Sequence, residues 1–416
     1  MTLPSPAPET SPVTPYVAFT YPSFTLFFMG KFFATFCTQI VSVAVGWQVY
    51  DITRNPLDLG YIGLAQFAPA ILLVLVTGHV ADRFDRKLIC LLCVLAEVAC
   101  IGGLLALTLA GNRSVAPIFA ILVGFGTARA FFGPAAQSIL PNLVRLPHLP
   151  NALAFNTMSW QVATIVGPVA GGLLYGVGAP VAYGTAAVLM LTGLVLIALM
   201  TAPPQVAPTA KGGSWTDVVA GFRFVWQAKI VLGAISLDLF AVLLSGATAL
   251  MPAYARDILH VGPVGLGLLR AGPGIGAVAM ALFLTMRPIK DHAGVIMFVA
   301  VAIFGAATTV FGLSTAVPLS ICALIVMGAA DMISVYVREI LIQISTPDAV
   351  RGRVNAVNAV FVGASNELGE FRAGTMAHLI GVVPAVWVGG VAAIGVAGLW
   401  ALLFPDLRRA RHLDGR

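Results

Sequence analysis

Charge is scarce in this chain. Asp, Glu, Lys and Arg make up 10% of its 416 residues, against about a quarter in ordinary soluble domains, while 59% are hydrophobic and the mean hydropathy is +0.95. A water-soluble fold is excluded, because apolar residues in this proportion must fall in long runs, and runs of about 18 or more with few charges read as membrane-spanning helices. Strands of a membrane barrel would alternate in polarity over stretches of about ten residues, a pattern these runs lack. Cysteine is sparse too. Cys37, Cys90, Cys93, Cys100 and Cys322 all lie inside apolar runs, where a thiol acts as a small hydrophobe. The Cys90/Cys93 spacing has no second ligand pair, and the six His residues lack metal-ligand spacing, so neither a disulfide framework nor a metal site is expected. The net charge of +6 is spread between the spans rather than gathered into a basic arm, which argues against nucleic-acid binding. No Gly-rich Lys loop for nucleotides and no nucleophile with an aligned base can be picked out, so neither direct ATP use nor enzymatic chemistry is expected. No cofactor is expected either.

What is present is a series of apolar runs bounded by charge, Pro and Gly. Spans are predicted near 24–50, 57–79, 88–110, 115–136, 153–177 and 180–202, then near 230–255, 263–286, 293–314, 317–341, 354–379 and 383–404. The stretch "APPQVAPTAKGGSWTDVVAGFRFVWQAK" is the longest polar break and contains a possible amphipathic segment. The expected architecture is an all-α integral membrane protein of twelve transmembrane helices in two six-helix bundles. Its parts would be a flexible tail at 1–22, bundles at 23–203 and 229–405, a linker at 204–228 and a second tail at 406–416. Fifteen Lys and Arg fall in one set of loops and the C-terminal tail, against three (Arg54, Arg113, Arg256) in the opposite loops. By the positive-inside rule both termini are expected in the cytoplasm.

The loop after the second span reads "GHVADRFDRK". It resembles the loop signature of the major facilitator superfamily, Gly-x-x-x-Asp-Arg-x-Gly-Arg-Lys, at Gly78, Asp82, Arg83, Arg86 and Lys87, with Asp85 replacing the usual Gly. Such a turn is expected to latch one conformation, with Asp82 meeting a helix N-terminus or an Arg of the other half such as Arg351 or Arg353. In the fifth span "ATIVGPVAGG" is similar to the superfamily's antiporter signature at Gly167, Pro168, Gly171 and Gly172, with Ala163 in place of the first Gly. Small residues there allow close helix approach and Pro bends the span. With "TRNPLDLG", "ARAFFGPA", "PNALAFNTMSW" and "STPDAVRGRVNAVN", the chain from about residue 20 to 405 resembles the drug and siderophore proton-antiporter branch, similar to the enterobactin exporter group. The resemblance implies a secondary transporter in the cytoplasmic membrane that exports a small molecule (a drug, siderophore or metabolite) by proton antiport and alternating access. It also implies a monomer surrounded by lipid. A facilitator, an importer or a lysolipid carrier on the same fold are the alternatives, with a membrane-embedded enzyme a distant one.

A charge inside a span costs about 3 kcal/mol or more, so each is a functional candidate. The proton-coupling candidates are Glu367 and Glu370, which share a helix face, together with Asp331, Asp238 and Glu97. Arg129, Arg338, Lys31 and Arg270 are candidates for substrate contact or charge pairing. Asp331 and Arg338 lie seven apart on one span, so an internal ion pair is expected around Arg338. Arg129 occupies a helix that carries an Arg in many proton-coupled family members, and here the usual pattern around that Arg is met only in part, at Gly133.

The topology has a direct test. A cysteine placed at Asn112 is expected to react with a membrane-impermeant maleimide from outside the cell, and labelling from the cytoplasm alone would overturn both the span count and the orientation.

Overall fold

The computed structural model describes residues 16–201, 215–289 and 291–410. The described chain is helical throughout. It runs α1 (Pro22–Thr53), α2 (Pro56–Arg83), α3 (Arg86–Leu109), α4 (Ala116–Ile139), α5 (Leu149–Val177) and α6 (Ala179–Leu199). After the break come α7 (Trp215–Gln227), α8 (Lys229–Ser245), α9 (Gly262–Met286), α10 (Ala293–Leu313), α11 (Val317–Ser345), α12 (Asp348–Ile380), α13 (Val382–Leu403) and the short α14 (Pro405–Arg409). Proline in the first turn starts α1, α2, α4, α5, α6, α9, α11 and α14, where its missing N–H costs nothing. Asn55 caps α2 by accepting from the Leu57 N–H at 3.1 Å. Asp85 caps α3, accepting from the N–H groups of Lys87 (2.7 Å) and Leu88 (3.0 Å). The residue that departs from the loop signature is thus the one that starts the next helix.

Among the described residues, eleven helical segments are long and apolar enough to cross a membrane. The expected eleventh span, α12, is a single helix of 33 residues but is not among them. Its Arg351, Arg353, Asn355, Asn358, Asn366, Glu367, Glu370 and Arg372 dilute its apolar character, and it faces protein on several sides instead, packing against α2, α7, α8 and α13. The expected span at 230–255 is also not one straight helix. α8 stops at Ser245, Gly246 takes a left-handed conformation (φ 49°), and the chain continues through a 3₁₀ turn, Ala247–Leu250, and a π turn, Tyr254–Ile258.

Two large apolar cores organise the helices. One gathers side chains of α1–α6, including Phe24, Phe27, Ile40, Ile101, Leu122, Phe125 and Tyr183. The other gathers α8–α13, including Leu237, Tyr254, Met297, Phe311 and Leu324, and draws in Val43, Trp47, Tyr50 and Leu59 from α1 and α2. A third, small core seats α7 through Val225 against Val231, Ile342, Val354 and Val357, so part of the expected linker is a docked helix. The expected tails are also partly ordered. Ala18 is fully buried and its N–H donates to Asn151 Oδ1 at 3.1 Å, and Leu407 in α14 is fully buried. The aromatic residues within the first Pro- and Thr-rich segment account for the former, since Phe19 stacks edge-on against Phe24, Phe28 and Phe155.

The two sets of helices meet along two seams, α2 against α12 and α5 against α9. In lipid, close packing rather than water exclusion holds helices together, so small residues carry such contacts. Gly60 lies backbone to backbone with Phe371, and Gly374 with Gly60 and Pro56. Across the other seam, a methyl on Gly172 would lie 2.5 Å from the Pro263 carbonyl oxygen, and one on Gly267 would lie 2.5 Å from that of Pro168. Gly172→Val is therefore expected to reduce transport at least about tenfold at an unchanged protein level, whereas Gly184→Val, with nothing within 4 Å, should leave it intact. Parallel uptake and immunoblot measurements on membrane vesicles check this.

Candidate functional site

Between the two sets lies a cavity of about 640 Å³. One wall comes from Gln39 and Ser42 of α1, Gln66 of α2, Arg129 of α4, and Trp160 and Thr164 of α5; the other comes from Thr248, Arg270 of α9, and Asn366, Glu367 and Glu370 of α12. The α2 backbone decides how the carboxylates sit. A methyl on Gly63 would lie 2.9 Å from Glu367 Oε2 and 3.0 Å from Glu370 Oε2, so both acids reach across the α2–α12 seam to the position of one absent side chain. Thr248 Oγ1 donates to Glu370 Oε1 at 3.3 Å within the second set, and Arg270 Nη1 donates to Ser42 Oγ at 2.6 Å, a polar link between the sets. Arg129 is exposed to the cavity and its charge acts on both Glu367 and Glu97, while that of Arg270 acts on Glu370. The arrangement is two acids and two guanidinium groups around a space whose remaining wall is about half apolar, with Leu59, Ile62, Phe67 and Met251 in it.

The other sequence candidates lie elsewhere. Glu97 is buried in the first core, outside the cavity wall. Lys31 donates to Asn156 Oδ1 at 2.8 Å and ties α1 to α5 instead of facing the cavity. Arg338 does have an ion pair, but its partner is Asp238 of α8, not Asp331 one face along its own helix. Both partners are nearly fully buried, and Glu339, 3.9 Å from Arg338 Nε, is held by Asn358. Asp331 lines a separate, smaller cavity.

In the loop signature a methyl on Gly78 would meet nothing within 4 Å and Arg83 is exposed. Arg86 donates to the carbonyls of Ala81 (3.3 Å) and Ser138 (3.0 Å), and Lys87 to that of Ala198 (2.8 Å), so these cations stitch α2, α4 and α6 together. The Asp82 side chain lies outside the described residues. Arg351 donates to the carbonyls of Gln343 and Thr346. In the antiporter-type motif, Gly167 and Gly171 admit α1 at Gln39 and Ile40, Gly172 admits α9, and Pro168 lines the cavity.

A cluster the sequence reading missed joins the two sets beside the α1–α2 connection. Arg256 pairs with Asp51, Arg54 Nη1 with Asp257 Oδ1 at 3.2 Å, and the Tyr50 hydroxyl donates to Asp257. Arg256 also lies over the Trp47 ring, 5.4 Å from its centroid, and His378 Nδ1 sits 3.0 Å from Asn55 Oδ1. Arg54 and Arg256 are two of the three cations counted in those loops, and that scarcity was the available signal.

A model of the family described as transmembrane secretion effectors matches residues 11–414. The chain belongs to that family of major facilitator transporters. Among its relatives, the enterobactin exporter EntS of Citrobacter koseri is 27% identical over 399 residues, and that of Escherichia coli O1:K1 is 26% identical over the same length, each comparison covering 94% of both chains. Solved structures share the fold. A bacterial homologue of the iron transporter ferroportin superposes with a TM-score of 0.68 at 14% identity, covering 93% of this chain and 98% of that one. A bacterial homologue of the human lysosomal transporter Spinster gives 0.66 at 15%, covering 93% and 96%. The protein is a multi-pass membrane transporter and not an enzyme, as the sequence led one to expect.

The charge cluster of the transporter can be tested by reversal. Asp51→Arg places like charges together and is expected to slow transport severalfold, since a partly exposed pair is worth about 1 kcal/mol and repulsion adds to its loss. The double variant Asp51→Arg/Arg256→Asp should recover most of the rate in the same vesicle assay.

Proposed function

We propose that this protein exports a small organic molecule from the cytoplasm by alternating access, in exchange for protons. The bundles at 23–203 and 229–405 rock about the central cavity, with both termini in the cytoplasm and the transporter acting as a monomer in the cytoplasmic membrane. Because the close approaches between the sets described above run from the α1–α2 end to mid-helix, we read this conformation as closed to the outside and open to the cytoplasm. The relatives' names point to siderophore-like cargo. Arg129 and Arg270 suit an anionic group on it, and Trp160 an aromatic or apolar one.

One observation carries the coupling. Glu367 and Glu370 touch the opposite set of helices at Gly63, so their state bears on the seam that must part when the outside opens. An ionised carboxylate pressed into a seam loses water that it regains when the seam opens. Proton occupancy and seam closure are therefore linked, and linkage of this kind lets a proton gradient drive the cycle. Arg129 supplies a counter-charge that cargo can borrow, which ties cargo to the same acids.

Glu367→Gln and Glu370→Gln are expected to abolish uphill accumulation in inverted vesicles with an imposed pH gradient, while leaving downhill exchange partly intact. If both variants keep the full pH dependence of uphill transport, the pair is structural and this coupling scheme fails.

A further inference from the structure

The intramembrane charges of the second set of helices can be taken one by one. Arg338 pairs with Asp238 and lies 3.9 Å from Glu339, which also accepts from Asn358, Arg270 acts on Glu370, and Arg129 acts on Glu367. Arg372 is directed to the Met376 sulfur at 2.7 Å and the Ser245 carbonyl at 3.4 Å. Asp331 is left over. The charged groups that act on it are Asp238 and Arg338, which already neutralise each other, and among the described residues no cation pairs with it. A carboxylate at mid-span without a counter-charge calls for something to bind there.

The space beside it has oxygens on one side. Asp331 lines a cavity of about 160 Å³ with Ser245, Thr248 and Asn366, while Phe304 and Met327 make part of its apolar wall. This is where α8 is interrupted, and interrupted helices near mid-membrane present main-chain carbonyls and polar side chains that helices otherwise keep to themselves. The oxygens on hand are acceptors. The Asn366 amide nitrogen donates to the Val362 carbonyl at 2.9 Å, which leaves its Oδ1 available, and Thr248 spends its hydroxyl proton on Glu370, which leaves its lone pairs. Thr248 and Asn366 line both this cavity and the central one, so an ion has a route in. The volume accommodates an ion with a few waters at about 30 Å³ each.

We propose that the side cavity at Asp331 binds a monovalent hard cation of sodium size, held by the Asp331 carboxylate and by neutral oxygens of Thr248, Asn366 and the interrupted α8. One carboxylate balances one positive charge. A divalent ion would leave an uncompensated charge in a low-dielectric site, and hard oxygen donors without thiolate or imidazole disfavour transition metals. The proposal deepens the reading of a cation-coupled transporter by adding a second ion site that contacts the proton pair through Thr248.

The test uses the purified full-length transporter in lipid nanodiscs at fixed pH and fixed chloride, with NaCl replacing choline chloride. The melting temperature of the wild type should rise saturably with NaCl and not with KCl, ²²Na⁺ should bind saturably, and Asp331→Asn should lose both effects. Ser245→Ala, a milder change at the cavity rim, should weaken the apparent sodium affinity severalfold. Equal responses to NaCl, KCl and choline chloride in the wild type would overturn the site whether or not Asp331→Asn folds. So would a sodium response retained in Asp331→Asn, or a melting temperature that depends on pH through Asp331 and not on sodium. Transport in proteoliposomes separates this site from the proton scheme. A missing sodium effect with intact pH-driven transport overturns the site alone, and a sodium effect in a protein indifferent to the pH gradient overturns the proton scheme alone.

Discussion

A charge carried into a bilayer must be answered by another charge, by hydrogen bonds or by water, and most of the chemistry of this protein follows from how each is answered. Asp238 and Arg338 answer each other in a dry contact that ties α8 to α11. Removing one partner of such a pair costs about 3–5 kcal/mol, because the other is left charged and buried, so this pair serves the fold. Glu367, Glu370, Arg129 and Arg270 are answered loosely, across a cavity of about 640 Å³ and across the division between the helix sets. Loosely answered charges can exchange partners, which fixed ones cannot.

The second requirement is that two helix sets approach closely without interlocking. Gly60, Gly172, Gly267 and Gly374 meet it by laying backbone on backbone. Gly63 does something different, since its missing side chain is the room into which two carboxylates project. The same residue type thus makes a sliding surface at some positions and a binding niche at another.

Much of this was legible in the sequence. Spans declare themselves by length and hydropathy, and the pair Glu367/Glu370 stood out because two acids three apart share a helix face. Sequence depth, however, says nothing about which way a helix is turned. Lys31 and Glu97 stand among the candidates because every charge inside a span does, yet they face α5 and the first core. Arg338 was matched to the acid on its own helix because that neighbour is visible along the chain, whereas Asp238 is brought to it only by folding. The interruption after Ser245 was hidden in an apolar stretch, where one Gly among small residues does not differ from a packing contact until its φ is known. The cluster of Asp51, Arg54, Arg256 and Asp257 spans more than 200 residues of sequence, beyond what local pattern can join.

That cluster has a further consequence. The glycine seams would have few side chains to re-pack if they part as proposed, so the selective cost of opening would rest on ion pairs whose members are partly exposed. Charges near water are screened over about 8 Å at physiological ionic strength, and more strongly in brine. In the alternating access proposed above, the salinity of the compartment that these residues face would therefore set the resting balance between the two openings, and a cell moved from fresh to salty surroundings would shift that balance with no change in the protein.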